Sequence, residues 1–239
     1  MTTGSSEPSP SLESGGSSGS SGSAGSSGSA GGVAKAVHIP PERLARWLDN
    51  FATRHGETTY DAQPAVVTVH AADGAIARID VPFGPLEDLS REGLIAHVLT
   101  DRRLGILLVR RGGYGAGVFH GLKLIDSKVG SRHVQGKTKA GGWSQQRFAR
   151  RREGQARVAF EAAAEAAVRI LLPHARQLDA LICGGDRTAV DGVLLDPRLK
   201  AFPPLVQGPF LAVPDPRQKV LEQAGLEARA LRIDLTEPS

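Results

Sequence analysis

The side chains best suited to chemistry in this chain lie at residues 141–146, which read Gly-Gly-Trp-Ser-Gln-Gln. The neutral amides of Gln145 and Gln146 can orient a water molecule or a carbonyl group without a shifted pKa. Gly141 and Gly142 give the backbone conformations closed to other residues, which suits a tip that enters a narrow channel. The pattern indicates a reactive tip made of small residues and amides.

A strongly basic segment, residues 128–157, surrounds this tip. Nine of its residues are Lys or Arg and one is acidic, whereas the whole chain has a formal net charge of only +4. Such a local basic patch usually indicates a polyanionic partner. A simpler interpretation remains open, in which the segment is a solvent-exposed RNA-binding arm with no catalytic role. The basic residues are Lys128, Arg132, Lys137, Lys139, Arg147, Arg150, Arg151, Arg152 and Arg157.

Other chemistries find less support in the sequence. The seven histidines are scattered, and none has a partner at the spacing of a zinc site, so we expect no metal and no cofactor. Asp80, Asp126 and Asp179 are candidates for a two-metal nuclease. The glycines at 112–117 precede a strand and favour a hairpin over a nucleotide fingerprint. Residues 184–186 fit a turn between a strand and a helix, with anion binding as an alternative.

Composition divides the chain into a tail and one folded domain. Residues 1–32 are nearly all Ser, Gly, Ala, Glu and Pro, and we expect them to be disordered. Residues 33–239 are predicted to form a single domain. The one cysteine, Cys183, lies in an apolar run and favours a buried strand residue in a reducing compartment. With no apolar run of membrane-spanning length and no secretion signal, we expect a cytoplasmic protein.

Hydrophobic periodicity predicts an α/β fold, with α+β as the alternative, in which a mixed sheet is flanked by helices. The first half favours antiparallel pairing, and the alternating second half favours parallel pairing. Three successive strands are expected to end in the basic segment. The predicted helices cover about residues 40–56 and 94–99, a long stretch from near Ser144, a stretch from about Arg187, and Pro216–Ala224. The predicted strands are Ala65–His70, Ala75–Val81, Leu104–Arg110, Ala116–His120, Leu122–Asp126, Leu178–Cys183, Phe210–Val213 and Ala228–Leu235.

Residues 137–150, reading KTKAGGWSQQRFAR, resemble the catalytic segment of the Vms-like release factors, in their actinobacterial branch. That segment has basic residues, a Gly-x-x-Gln motif and then a basic helix. Gly112–Phe119 and Leu181–Asp186 also resemble strands of the family, so the resemblance covers about residues 40–235. The family is similar in turn to the middle domain of eukaryotic and archaeal class I peptide release factors.

The resemblance implies a release-factor middle domain, related to the ribonuclease H arrangement. It also implies a peptidyl-tRNA hydrolase that cleaves the ester between nascent peptide and tRNA on stalled large ribosomal subunits, in ribosome quality control and rescue. The implied partners are the ribosomal RNA of the peptidyl-transferase centre and peptidyl-tRNA. We expect a monomer. A non-catalytic RNA-binding or ribosome-binding protein and a ribonuclease H-like nuclease remain the alternatives.

Carried over by position, the motif glycine is Gly142 and the glutamine is Gln145. The chain departs from a strict Gly-Gly-Gln by the inserted Trp143 and Ser144, and Gln146 follows directly, so either glutamine can be the catalytic one. The catalytic candidates are therefore Gly141, Gly142, Gln145 and Gln146. The expected RNA contacts are Arg132, His133, Lys137, Lys139, Trp143, Arg147, Arg150 and Arg151.

Overall fold

The computed structural model describes residues 35–131 and 160–238. Two sheets with helices packed on them account for most of these residues, which confirms the α/β class and the mixed sheet flanked by helices. The elements in chain order are β1 (Lys35–Ile39), α1 (Leu44–His55), β2 (Thr58–Gln63), β3 (Val66–Ala71), β4 (Ile76–Asp80), α2 (Arg91–Leu99), β5 (Arg103–Arg110), β6 (Gly113–His120), β7 (Lys123–Ser131), α3 (described over residues 160–171), β8 (Ala180–Gly185), α4 (Arg187–Leu194), α5 (Gln218–Glu227) and β9 (Leu231–Thr236).

The first sheet is antiparallel, with five strands in the order β1-β9-β4-β3-β2. Helix α1 packs on it through Leu44, Leu48, Phe51 and His55, which are all buried. Their spacing of three or four residues places them on one face of the helix, as the sequence predicts. The helix ends at Gly56, whose φ of 88° is a backbone angle that glycine adopts readily.

The second sheet has four strands in the order β7-β6-β5-β8, with β8 parallel to β5 and the other pairs antiparallel. Helices cover both of its faces. Leu107 and Val109 of β5 pack in a core with α3 and α4. Leu104, Ile106 and Leu108, on the opposite face, pack in a core with α5. Because β5 is covered on both sides, its sequence is apolar without alternation.

The last strand differs from the sequence-based prediction. A strand after a helix favours parallel pairing, yet β9 crosses to the first sheet and pairs antiparallel with both β1 and β4. Its buried residues, Leu231 and Ile233, alternate with Arg232 and Asp234. Such alternation is typical of a strand with one covered face, which the first sheet provides and the second sheet does not.

Three further segments differ from the prediction. The edge strands β1 and β2 are absent from it, because their sequences KAVHI and TTYDAQ have weak apolar patterns and each strand has only one neighbour. Residues 210–213 form no strand and make only a single bridge between Leu211 and Gly184. Pro209 and Pro214 flank this stretch, and proline cannot donate to a strand ladder.

Candidate functional site at the base of residues 132–159

Every residue that the sequence assigns to catalysis or RNA contact lies outside the described residues. The structure describes the base from which that segment departs. The chain leaves the described part at Ser131 and re-enters it at Phe160. The residues concerned are Arg132, His133, Lys137, Lys139, Gly141, Gly142, Trp143, Gln145, Gln146, Arg147, Arg150 and Arg151.

The departure point is a close pairing between the start of β6 and the end of β7. Gly113 is opposite Ser131, and Tyr114 is opposite Gly130. A Cβ atom on Gly113 would lie 2.7 Å from the carbonyl oxygen of Gly130, so only glycine fits there without a backbone shift. A Cβ atom on Gly130 would lie 2.5 Å from the Tyr114 hydroxyl oxygen. The tyrosine ring therefore covers the glycine of the opposite strand, an arrangement that stabilises pairing at a sheet edge.

The return point is held by packing on α4. Phe160 lies against Gly192, where a Cβ atom would be 3.3 Å from the phenyl ring. At the far end of α3, the side chain of Leu171 lies beside Gly105, near the beginning of β5. Helix α3 therefore runs along the second sheet. Leu171 lies near the amino end of β5, and Phe160 lies farther from that end.

The carboxyl end of β5 lies near both Ser131 and the beginning of α4. Helix α4, which carries Gly192, begins after Asp186, and the Asp186 backbone N–H donates to the carbonyl oxygen of Val109 at 2.8 Å. Val109 is the penultimate residue of β5, whose last residue, Arg110, pairs with Gly113. The carboxyl end of β5 thus lies close to Ser131 and to the beginning of α4, the helix on which Phe160 packs. This end of the sheet is hereafter the loop base.

The turn after β8 has the hydrogen bonding of a structural turn. The Gly185 backbone N–H donates to Leu211 at 2.9 Å, and the next N–H, of Asp186, is taken by Val109. The Asp186 carboxylate accepts from the Ala189 N–H at 3.2 Å and caps α4. Since these donors already have protein acceptors, the turn interpretation holds. The other glycine run, at 112–113, connects β5 to β6 as the predicted hairpin.

Charged side chains at the loop base are partly organised by neighbours. The Arg110 guanidinium donates to the Val213 carbonyl oxygen at 2.6 Å and lies 3.5 Å from the Asp215 carboxylate. The guanidinium carbon of Arg187 lies 4.2 Å from the ring centre of Phe210, a cation–π arrangement. Both contacts fix the direction of a long cationic side chain.

Cys183 is buried on β8, as the sequence predicts. Burial raises the pKa of its thiol to about 12, with a smaller contribution from the charge of Asp191. The thiolate is the nucleophilic form, and it is not populated near neutral pH. Cys183 therefore packs as a small apolar residue and supplies no nucleophile.

Residues 35–131 and 160–238 contain neither a candidate metal site nor a candidate membrane-spanning helix. There, no group of three or more His, Cys, Asp or Glu side chains could hold a metal ion. His55, the most buried histidine, instead places its Nδ1 atom 2.8 Å from a carboxylate oxygen of Asp73. No helix in these ranges is long and apolar enough to cross a bilayer.

A family model described as the Actinobacteria/chloroflexi VLRF1 release factor matches residues 102–234, more than half of the chain. The chain belongs to this family. The VLRF1 match confirms the resemblance that the sequence motifs predict. It contains the whole second sheet, the loop base and residues 132–159, whereas α1 and α2 precede it.

Two solved archaeal structures are similar to this VLRF1 family member at low identity. The archaeal translation termination factor aRF1 has 16% identity and a TM-score of 0.41, and the alignment covers 81% of this chain and 64% of that one. Another archaeal protein has 16% identity and a TM-score of 0.36, with coverage of 83% and 68%. The chain thus spans less than two thirds of the archaeal termination factor. None of the curated proteins matches the chain.

Three residues at the loop base of this VLRF1 protein had no predicted role from sequence: Tyr114, Arg187 and Phe210. Tyr114 meets Gly130 only through the register of β6 and β7. Arg187 and Phe210 are brought together by the backbone bonds that join Leu211 to Cys183 and Gly185 at the end of β8. The glycines at 112, 113 and 130 were the available signal, since clustered glycines in strands indicate close backbone approach.

Proposed function

We propose that the protein is a peptidyl-tRNA hydrolase of the release-factor type, acting on peptidyl-tRNA held by stalled large ribosomal subunits. The observation that carries the proposal is membership of the VLRF1 family over a range that contains Gly142 and Gln145. The proposed partners are peptidyl-tRNA and the ribosomal RNA of the peptidyl-transferase centre. The protein acts in the cytoplasm as a monomer, in ribosome quality control.

The reaction is the attack of water on the ester carbonyl that joins the peptide to the 3′ end of tRNA. The carbonyl oxygen gains negative charge, and the bond to the ribose oxygen then breaks, so that the ribose hydroxyl and a free peptide carboxylate are formed. A backbone N–H and the Gln145 or Gln146 amide supply donors for the developing oxyanion and orient the water. The ribosomal centre and the tRNA fix the ester in place, and this positioning lowers the barrier further.

The loop base supports this proposal mechanically. A group that donates to an oxyanion must be held to within a fraction of an ångström of its place. Strand β7 ends in full register with β6 as far as Ser131, and the chain returns at Phe160 on the packed helix α3. Strand β7 is the edge strand of the second sheet and α3 is a helix packed on that sheet, so the proposed catalytic segment is connected at both ends to regular secondary structure.

The decisive measurement is the release of nascent peptide from large subunits that carry peptidyl-tRNA. The variants are Gln145→Ala, Gln146→Ala and the double substitution, with Gln177→Ala, an exposed glutamine before β8, as the matched control. Loss of an oxyanion donor lowers a rate by about 100-fold or more. We expect that loss for one single variant and for the double variant, and wild-type rates for Gln177→Ala.

Equal rates of peptide release by the wild type, Gln145→Ala, Gln146→Ala and the double variant would contradict the proposed mechanism. A second candidate, a ribosome-binding protein without catalysis, is favoured by the basic segment alone. It predicts subunit binding by the wild type with no peptide release under any condition. The peptide-release assay on the wild type therefore distinguishes the two functions.

The nuclease alternative loses support from the sheet topology. Asp80 lies on β4 of the first sheet, where it pairs with Arg78 at 2.7 Å. Asp126 is on β7, and Asp179 directly precedes β8, so these two belong to opposite edges of the second sheet. A two-metal site needs its carboxylates around ions about 4 Å apart, and this fold does not bring the three together.

A further inference from the structure

Three exposed arginines lie at the loop base, where no function has been assigned to them: Arg111, Arg187 and Arg217. Arg111 follows the last residue of β5 in the turn to β6. Arg187 is the first residue of α4, and Arg217 directly precedes α5. Each therefore occupies a turn or helix beginning, from which a long side chain can reach solvent.

Contacts between their neighbours show that these three positions converge. A Cβ atom on Gly112, next to Arg111, would lie 2.5 Å from a carboxylate oxygen of Asp215, two residues before Arg217. A Cβ atom on Gly185, two residues before Arg187, would lie 2.9 Å from the Cγ atom of Arg110. The arginines thus lie around the carboxyl end of β5, close to Ser131.

The described residues offer these three arginines no acidic partner. The Asp215 carboxylate forms an ion pair with Arg110, whose Nε atom lies 3.5 Å from a carboxylate oxygen. Within residues 35–131 and 160–238, no carboxylate forms an ion pair with Arg111, Arg187 or Arg217. The contact of Arg187 with the Phe210 ring orients its guanidinium group, and no carboxylate of residues 35–131 or 160–238 pairs with it. A preoriented, unpaired guanidinium is well suited to bidentate contact with a phosphate.

We propose that Arg111, Arg187 and Arg217 form a phosphate-contact surface for the backbone of ribosomal RNA or tRNA. RNA is favoured over an acidic protein because the surface adjoins residues 132–157, which carry eight further Lys or Arg against one acid. So many positive charges in and beside one segment of the chain favour a partner with the regularly spaced charges of a nucleic-acid backbone. The inference rests on the proposed function only in its choice of ribosomal partners.

The experiment compares two sets of three substitutions in the full chain. The test set is Arg111→Gln, Arg187→Gln and Arg217→Gln. The control set is Arg43→Gln, Arg46→Gln and Arg54→Gln, three exposed arginines on or beside α1 that also lack a carboxylate partner in the described ranges. Both sets change the net charge by the same amount. Binding to purified large subunits and, separately, to deacylated tRNA is measured over a series of salt concentrations.

We expect the test set to weaken binding by about tenfold or more and to reduce the salt slope by about one per lost phosphate contact. The control set should bind like the wild type. Loss on subunits alone identifies ribosomal RNA as the partner, and loss on tRNA as well identifies tRNA. A second test set with Lys at the three positions retains the charge and should retain most of the salt slope, which separates this role from a folding defect.

The proposal is overturned if the test set binds both RNAs like the wild type, or if the control set loses as much. It is also overturned if the loss does not depend on salt, since that result indicates a protein contact. Peptide release is measured in parallel. If the arginines govern binding but the wild type releases no peptide, the proposed catalytic function fails and this surface stands. If the wild type releases peptide but the test set binds unchanged, the catalytic function stands and this surface fails.

Discussion

Tyr114 and Gly130 face each other across β6 and β7, and the tyrosine ring occupies the space that a side chain at position 130 would need. This pair lies one residue before Ser131, the last described residue ahead of the proposed catalytic segment. The ring is half-buried and packs against the core shared by α3 and α4. The contact therefore links the edge strand to that core at the point where the segment attaches.

The substitution Gly130→Ala tests this contact. A methyl group would collide with the Tyr114 ring, and overpacking of this kind lowers the free energy of unfolding by about 1–3 kcal/mol. In a Tyr114→Ala background the collision disappears, so we expect the two effects to differ from additivity by at least about 0.5 kcal/mol. Urea denaturation of the four proteins gives the coupling energy. Additive effects would show that the ring does not govern position 130.

Gly225 on α5 presents a competition between helix propensity and packing. Replacing glycine by alanine inside a helix ordinarily stabilises it by about 1 kcal/mol. Here the added Cβ would lie 2.5 Å from the Cζ atom of Phe119, a ring that is only 4% exposed. We expect Gly225→Ala to lower the free energy of unfolding by about 1–3 kcal/mol, because the buried ring has little room to move.

The matched control for that substitution is Gly192→Ala on α4. There the new Cβ would be 3.3 Å from the ring of Phe160, so a shift of a few tenths of an ångström relieves the contact. Thermal denaturation should show a clearly smaller loss for Gly192→Ala than for Gly225→Ala. The reverse order would mean that the space around Phe119 is not the limiting factor.

Acid should weaken the attachment of α1 to the hairpin between β3 and β4. The Ala75 N–H bond, at 3.0 Å, and then His55 hold the pKa of Asp73 below its usual value. A lowered pKa means that the unfolded chain binds the proton more tightly, so this stabilisation is present above about pH 4, the ordinary Asp pKa, and is lost as pH falls through the lower folded-state pKa.

Melting temperatures measured from about pH 7 down to about pH 3 test this dependence. Asp73→Asn should show a shallower decline in the acid range than the wild type, since the titrating group is gone. Asp61→Asn, an exposed change on β2, is the control and should follow the wild type. Identical acid profiles for the wild type and Asp73→Asn would refute the role of Asp73.

The buried thiol of Cys183 should resist alkylation in the folded protein. Its pKa of about 12 leaves almost no thiolate, and the side chain is only 3% exposed. At about pH 8, iodoacetamide should modify Cys183 at least about 100-fold more slowly in native protein than in urea-unfolded protein. Mass spectrometry after timed quenching gives both rates. Fast native labelling would contradict burial of this strand.

Local sequence was sufficient to predict the features that depend only on residues close together in the chain. The run 104–110 is apolar without alternation and forms the central strand β5, and the spacing of Leu44, Leu48 and Phe51 identifies the buried face of α1. The resemblance at residues 137–150 likewise needs no neighbour to be recognised, and the family that it indicates is confirmed by the VLRF1 match. These features depend on side chains near one another in the chain.

Only the tertiary structure decided which strands became neighbours and what surrounds the loop base. Strand β9 pairs antiparallel in the first sheet and not parallel as predicted. Its buried and exposed residues alternate, which requires one covered face and one open face, and the first sheet provides both. The pairs Tyr114 with Gly130 and Arg187 with Phe210 arise from strand register and chain return. The physical reason is that such contacts depend on the free energy of the whole packed fold, which no short window of sequence contains.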